Sequence, residues 1–216
     1  MRLLTESCHA QLVHWPKAGR HVLAQFDDET IVVYQAFRLS IGNFAARHGF
    51  FGGEFSFSRM SWIKPSCLWM MYRCGWGQKS DQEIVLAVWL KRSAFDSILA
   101  QAVHSSFVPE IYGSEPEWKA ALERSSVQLQ WDPDHNPSGA RVERRAIQLG
   151  LRGEVLARYA KEWAVHIEDV SGFVHEQYEH VTKHEYEELV TPHERVYPVA
   201  DARVAARLGI SEGDED

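Results

Sequence analysis

The chain is predicted to be a single α+β domain, with a mixed or antiparallel sheet, flanking helices and a helical C-terminal region. Three observations predict it. Glu83-Ile-Val-Leu-Ala-Val-Trp-Leu90 is an unbroken apolar run of strand length, and Ala94, Phe95, Ile98, Leu99 and Ala102 follow it at helical spacing. Ile31-Val-Val-Tyr-Gln-Ala-Phe37 is rich in β-branched and aromatic residues and follows an acidic turn. Strands and helices then alternate without a repeating βα unit, which separates α+β from α/β.

Taken in order, 20–26 and 31–37 read as a hairpin around Asp27-Asp-Glu-Thr30. Ser40 reads as the N-cap of a short helix over 41–48 that stops at Gly49, where positive φ is free of strain. Residues 54–58 read as extended. Pro65 suits the first turn of a helix through Tyr72, although the same apolar run fits a buried strand, and periodicity does not separate the two. After the strand at 83–90 and its helix come a short helix over 118–122 and an alternating strand over 127–131, which ends in the turn-rich Asp132-Pro-Asp-His-Asn-Pro137. Residues 145–149 read as a strand. From Gly153 onward Val155, Leu156, Tyr159, Trp163, Ile167, Val170, Val174 and Tyr178 suggest helix, with Gly172 as a break. The globular domain is assigned to 1–182, and 183–216 to a C-terminal extension whose acidic end, Glu212-Gly-Asp-Glu-Asp216, has the composition of a disordered tail.

The 216 residues, 45% hydrophobic and 25% charged, suffice for a substantial core. No apolar run reaches membrane-spanning length, and the first residues lack a secretory apolar core, so a cytoplasmic protein with no membrane partner is expected. Three cysteines without tight pairing are expected to stay reduced, and Cys67 to be packed. The net charge of −7 argues against a protein that coats nucleic acid nonspecifically. Charge is uneven, however. Acid gathers at Glu185, Glu187, Glu188, Glu194 and the terminus, whereas Arg59 to Arg92 is cationic, which favours a small anionic ligand or a nucleic-acid end.

The site is expected in Arg59-Met-Ser-Trp-Ile-Lys-Pro-Ser-Cys-Leu-Trp-Met-Met-Tyr-Arg73, where rings and fixed cations coincide. Planar rings beside Arg and Lys suit a nucleotide or another phosphate-bearing molecule. The competing reading is a core element whose cationic stems pass buried rings. Arg20, Arg59, Lys64 and Arg73 are assigned to phosphates, Trp62, Trp69 and Tyr72 to stacking, and Tyr34 and Gln35 to the same concavity. Asp132 is either a group acting on a ribose or the start of a turn. His180 and His184 share a helical face, but neither a zincin glutamate nor a cysteine accompanies them, so no metal is expected. Phosphate-loop, Rossmann and nucleophile-elbow glycine motifs are all missing.

The phrases Ile31-Val-Val-Tyr-Gln-Ala-Phe37, Arg59 to Arg73, Gln130-Trp-Asp-Pro133 and Arg145-Ala-Ile-Gln-Leu-Gly150 resemble the signature phrases of the uncharacterised domain-of-unknown-function family 4291, over roughly 20–170. Cys67 stands where that family is expected to carry an aromatic residue. A weaker resemblance links Tyr34-Gln-Ala-Phe37 and the helix ending at Gly49 to ADP-ribosyltransferase-like folds, with Gln35 and Ala36 in place of that group's His and Gly. This resemblance implies NAD as cosubstrate, a transferase, and a catalytic carboxylate. Glu83 is chosen for that role over Glu143 and Glu154, against the plainer reading of a surface carboxylate paired with Lys79 or Lys91. The alternative function is a noncatalytic module for a nucleotide or an RNA end.

Overall fold

The computed structural model describes residues 2–211, so the acidic end at 212–216 lies outside the described residues. In chain order the elements are β1 (Thr5–Ser7), α1 (Cys8–His14), β2 (Leu23–Ala24), β3 (Thr30–Phe37), α2 (Leu39–His48), β4 (Ser61–Ile63), α3 (Cys67–Cys74), β5 (Ile84–Lys91), α4 (Arg92–Gln101) and β6 (Val103–His104). There follow α5 (Pro109–Tyr112), α6 (Glu115–Arg124), β7 (Val127–His135), β8 (Arg141–Leu151), α7 (Gly153–Arg158), a π-helical turn (Tyr159–Trp163), β9 (Ala164–Asp169), α8 (Ser171–Lys183), β10 (Val190–Pro192), β11 (Arg195–Val196) and α9 (Ala202–Leu208). The chain is α+β, as the irregular alternation predicts.

Two sheets carry the structure. One has the order β3-β5-β9 and the other β4-β8-β7-β6, and of the pairs between these strands β6–β7 is parallel and the rest antiparallel. They meet where Tyr34 of β3 pairs with Lys64, just past β4, through Tyr34 N–H to Lys64 O at 2.7 Å and Lys64 N–H to Tyr34 O at 3.2 Å. The inner faces, with Ile31, Val33, Leu86, Val88, Ile147 and Leu149, share one core with Phe95, Ile98 and Leu99 of α4. The outer face of β3 and β5, with Val32, Tyr34, Val85, Ala87 and Trp89, is covered by Met70, Met71 and Cys74 of α3 and by Val174 of α8. Burial on both faces is why β5 reads as an unbroken apolar run rather than an alternating one.

Several local expectations change. Residues 20–26 do not form a full hairpin arm, because Leu23–Ala24 pairs with β11 while β3 takes β5 as its partner, leaving one Phe26–Ile31 bridge. The N-cap of α2 is Arg38, and the Ser40 hydroxyl donates to Glu54 at 2.9 Å. The helix does stop at Gly49, at φ 74°. Residues 54–58 lie outside the strands. α3 is a helix, with Ser66 as its N-cap. Asp132 to His135 continues β7, and a bulge between Pro133 and His135 accommodates a proline without a backbone donor. The stretch after Gly153 is interrupted by β9, and Gly172 falls in the first turn of α8 rather than at a break.

The boundary expected at 182 does not separate a body from an appendage. β10 pairs with β1, β11 pairs with β2, and Tyr197 and Leu208 are buried in the main core. The Tyr197 hydroxyl donates to Asp96 at 2.7 Å, and the Trp131 indole donates to the carbonyl of Leu208 at 2.9 Å. Among the described residues no helix is long and apolar enough to cross a membrane.

Candidate functional site

The two sheets part immediately beyond the Tyr34–Lys64 pair, and a continued antiparallel ladder would next set Ala36 against Trp62. The Gln35 side chain takes the place of that pairing. Its Nε2 donates to Ser61 Oγ at 2.8 Å and to the Trp62 carbonyl at 3.2 Å, and its Oε1 accepts the Tyr159 hydroxyl at 2.7 Å. Gln35 is thus a buried wedge between strands rather than a ligand-facing group. Tyr159 is wholly buried, and burial raises its phenol well above the ordinary range.

Strand alternation then gives β4 two faces. Ser61 and Ile63 point inward, whereas Trp62 and Lys64 point outward beneath α3, beside the outward residues of β8 and β7. Gly150 lets Trp62 lie close against β8, since a Cβ there would come within 3.0 Å of the indole. On this outer face both oxygens of Asp132 are occupied. Oδ1 accepts from Gln130 and Oδ2 from Gln148, each at 2.7 Å.

The Lys64 amine is unusual in this setting. It is 6% exposed, makes no ion pair among the described residues, and donates only to the Trp62 carbonyl at 3.4 Å. Burial, and then repulsion from Arg73, push it down to about 8, with Cys74 and Asp132 opposing the change. Arg73 and Tyr72 are exposed on α3. The Tyr72 ring stacks on His135 at 3.5 Å between centroids, and Trp69 stacks on both at 5.5 Å. Burial lowers His135 from its ordinary value, against a smaller rise from Asp134. Trp62, Lys64, Trp69, Tyr72, Arg73 and Asp132 therefore belong to one side of the molecule.

Tyr34 lies on this side too, but deeper, fully buried and without a partner for its hydroxyl. Its neighbour is Glu194, one of the acids that gather in sequence towards the tail. Glu194 is buried, with Oε1 accepting the Cys67 N–H at 2.7 Å and Oε2 unpartnered, and burial holds its carboxyl well above the carboxylate range. No local signal in the sequence distinguishes it from Glu185 or Glu188. The three cysteines are buried and unpaired.

Arg59 does not join Lys64 and Arg73. It lines a cleft of about 530 Å³ at the start of β4, where β3 and β4 diverge, together with Phe37, Arg38, Glu54, Phe55, Ser61 and Asp81. Arg38 is paired at the rim with Glu54 at 2.6 Å, whereas Arg59 is exposed and makes no ion pair among the described residues. Asp81 occupies φ 63°, a strained region for a residue with a Cβ, and its N–H donates to Glu83 Oε1 at 2.9 Å. Glu83 thus supports the turn that holds Asp81, and Asp81 lines the cleft together with the acid Glu54, which is already paired with Arg38. A position requiring left-handed backbone carries no mark in the sequence when the residue is not glycine.

Arg20 is remote in role from both places. Its backbone bonds with Ser211, and its guanidinium lies beside Gly209 in the C-terminal segment. Glu143 and Glu154 are exposed. His180 meets Glu185 and His184 meets the Tyr186 hydroxyl, and no group of three or more His, Cys, Asp or Glu among the described residues is placed to hold a metal ion.

Compared with known families, residues 21–197 match the one described as Domain of unknown function (DUF4291), which covers most of the chain, including both faces of β4. No curated protein matches the chain.

Proposed function

We propose that this chain, which belongs to the DUF4291 family, is a nucleotide-binding enzyme whose ligand occupies the cleft where β3 and β4 part, with NAD as the substrate of an ADP-ribosyl transfer. The carrying observation is that an unpaired Arg59 and the carboxylate of Asp81 line one cleft of about 530 Å³. That volume suits a nucleotide-sized ligand, since such sites run from about 300 to 1,000 Å³. Phe37 and Phe55 offer apolar walls to a base, Arg59 a guanidinium to a phosphate, and Ser61, whose oxygen already accepts from Gln35, a hydroxyl proton to the ligand.

In the transfer, the bond between ribose C1′ and nicotinamide breaks, and nicotinamide leaves with the electron pair. A lone pair of the acceptor forms the new bond to C1′, and the acceptor's proton passes to a carboxylate. Asp81 is placed to stabilise the positive charge that develops on the ribose and to take that proton. Calorimetry with NAD, ADP-ribose and ATP tests binding, and Arg59→Ala is expected to weaken it roughly tenfold or more. Chromatography of released nicotinamide tests turnover, which Asp81→Asn is expected to abolish while binding persists. Equal affinity of the parent and the Arg59→Ala protein would remove the nucleotide from this cleft.

A second reading, a noncatalytic module for an RNA end, draws support from the outer face. There Tyr72 is 41% exposed and already stacked on His135, and Arg73 is its chain neighbour. An unpaired base can extend such a stack, and stacking contributes about 1–3 kcal/mol per base. Binding of short single-stranded RNA that is weakened by Tyr72→Ala, without nicotinamide release by the parent, would select this reading.

A further inference from the structure

We propose that Lys64 is a covalent amine site, whose Nζ adds to the carbonyl carbon of a small anionic aldehyde or ketone and holds it as an imine between Asp132 and Arg73. The argument begins with a contrast on one sheet face. Arg144, the other buried cation there, is neutralised by Asp134 at 2.6 Å and also donates to the Pro16 carbonyl. Lys64 receives no such partner, although Asp132 is close enough to influence it. The reason is local, because the Gln130 and Gln148 amides occupy both oxygens of Asp132. The fold thus keeps a carboxylate near the amine without letting the two collapse into an ion pair. A buried amine left unpaired costs stability, and such costs are retained where the group has a task.

The chemistry follows from that placement. With its pKa pushed down to about 8, roughly a tenth of the amine is neutral at pH 7, about 300 times the fraction of an ordinary lysine. The Nζ lone pair attacks the carbonyl carbon, and the carbonyl π pair moves to oxygen. One amine proton passes to that oxygen, giving a carbinolamine. The carbinolamine then loses its hydroxyl, protonated by way of the Asp132 carboxylate, as water, and the second amine proton leaves to form the imine. Carbonyl compound and amine thus yield imine and water, with no oxidant or reductant. Arg73, exposed on α3 and near enough to repel the Lys64 charge, selects a carbonyl compound that carries a carboxylate or phosphate. Trp62 and Asp132 are both half-buried on the same outer face.

The test is reductive trapping on the full chain. Pyridoxal 5′-phosphate and, as a smaller probe, glyoxylate are added at limiting amounts near pH 7.5 with borohydride, and the modified peptides are mapped by mass spectrometry. Lys64 is expected to take at least ten times the label of any other lysine, with a labelling midpoint near pH 8. Inorganic phosphate is expected to compete, and Arg73→Ala to reduce the label severalfold. Lys64→Arg, which keeps the charge and the fold, should leave only diffuse labelling of the exposed lysines and unchanged nucleotide affinity at the β3–β4 cleft. That last measurement separates this site from the cleft. Label spread over Lys17, Lys79 and Lys119 with Lys64 unmodified by both probes would overturn the proposal.

Discussion

Gln35 and Lys64 donate to the same oxygen, the carbonyl of Trp62, at 3.2 and 3.4 Å. One side chain comes from the core side of β4 and the other from its outer side. Together they satisfy a backbone acceptor that the parting of the sheets would otherwise leave without a strand partner. β4 thus links the two candidate sites, with Ser61 at its start lining the cleft and Lys64 just past its end.

Gln35→Leu is expected to destabilise the protein by roughly 2–3 kcal/mol, because it strands the buried Tyr159 hydroxyl and removes the amide from Ser61 and Trp62. Adding Tyr159→Phe should cost little more, since the hydroxyl left unpaired is then gone. Denaturant titration of the two single variants and the double variant checks this, and fully additive losses would mean that the two side chains are uncoupled.

Lys64→Met is expected to stabilise the protein by up to about 3 kcal/mol at pH 7. The folded amine titrates near 8, below its usual 10.5. The folded state therefore binds fewer protons than the unfolded state across that interval. The penalty is complete below pH 8 and fades as pH rises towards 10.5, so the advantage of the variant should shrink over the same window. Unfolding curves taken from pH 7 to 10 read this directly.

Glu194 predicts the opposite trend. Its folded carboxyl titrates well above 4.5, chiefly through burial. Its contribution to stability is intact below pH 4.5 and is lost as pH climbs through the folded value. Glu194→Gln preserves an acceptor for the Cys67 N–H and cannot ionise. Its melting temperature should match the parent near pH 4.5 and exceed it increasingly towards pH 8, and parallel melting curves across that range would contradict the assignment.

Asp81→Gly is expected to stabilise the fold by about 1 kcal/mol, because glycine adopts φ 63° without strain. The same change removes the carboxylate assigned to the chemistry. Higher melting temperature with no nicotinamide release would show strain held at the site, whereas unaltered turnover would discard Asp81 from the chemistry.

The sequence by itself determined the elements whose local signals agree with their environment. The double burial of β5, the amphipathic face of α4 and the glycine stop of α2 are all written in spacing and residue type. So was much of the outer cluster, because Trp62, Lys64, Trp69, Tyr72 and Arg73 come from one short segment and stay together however it packs. The tertiary structure decided the rest. Arg59 fell into a separate cleft because it sits in a bend before β4, at the point where β3 and β4 diverge, and only the pairing of those strands with distant neighbours fixes where they part. β9 stayed hidden since Trp163, Ile167, Val170 and Val174 are spaced as on a helix, and it is the open edge of β5 that draws the segment into a strand. Glu194 became a buried acid through the pairing of β10 and β11, on either side of it, with β1 and β2, strands far away in the chain. Burial and pKa depend on such distant partners, and no window of sequence contains them.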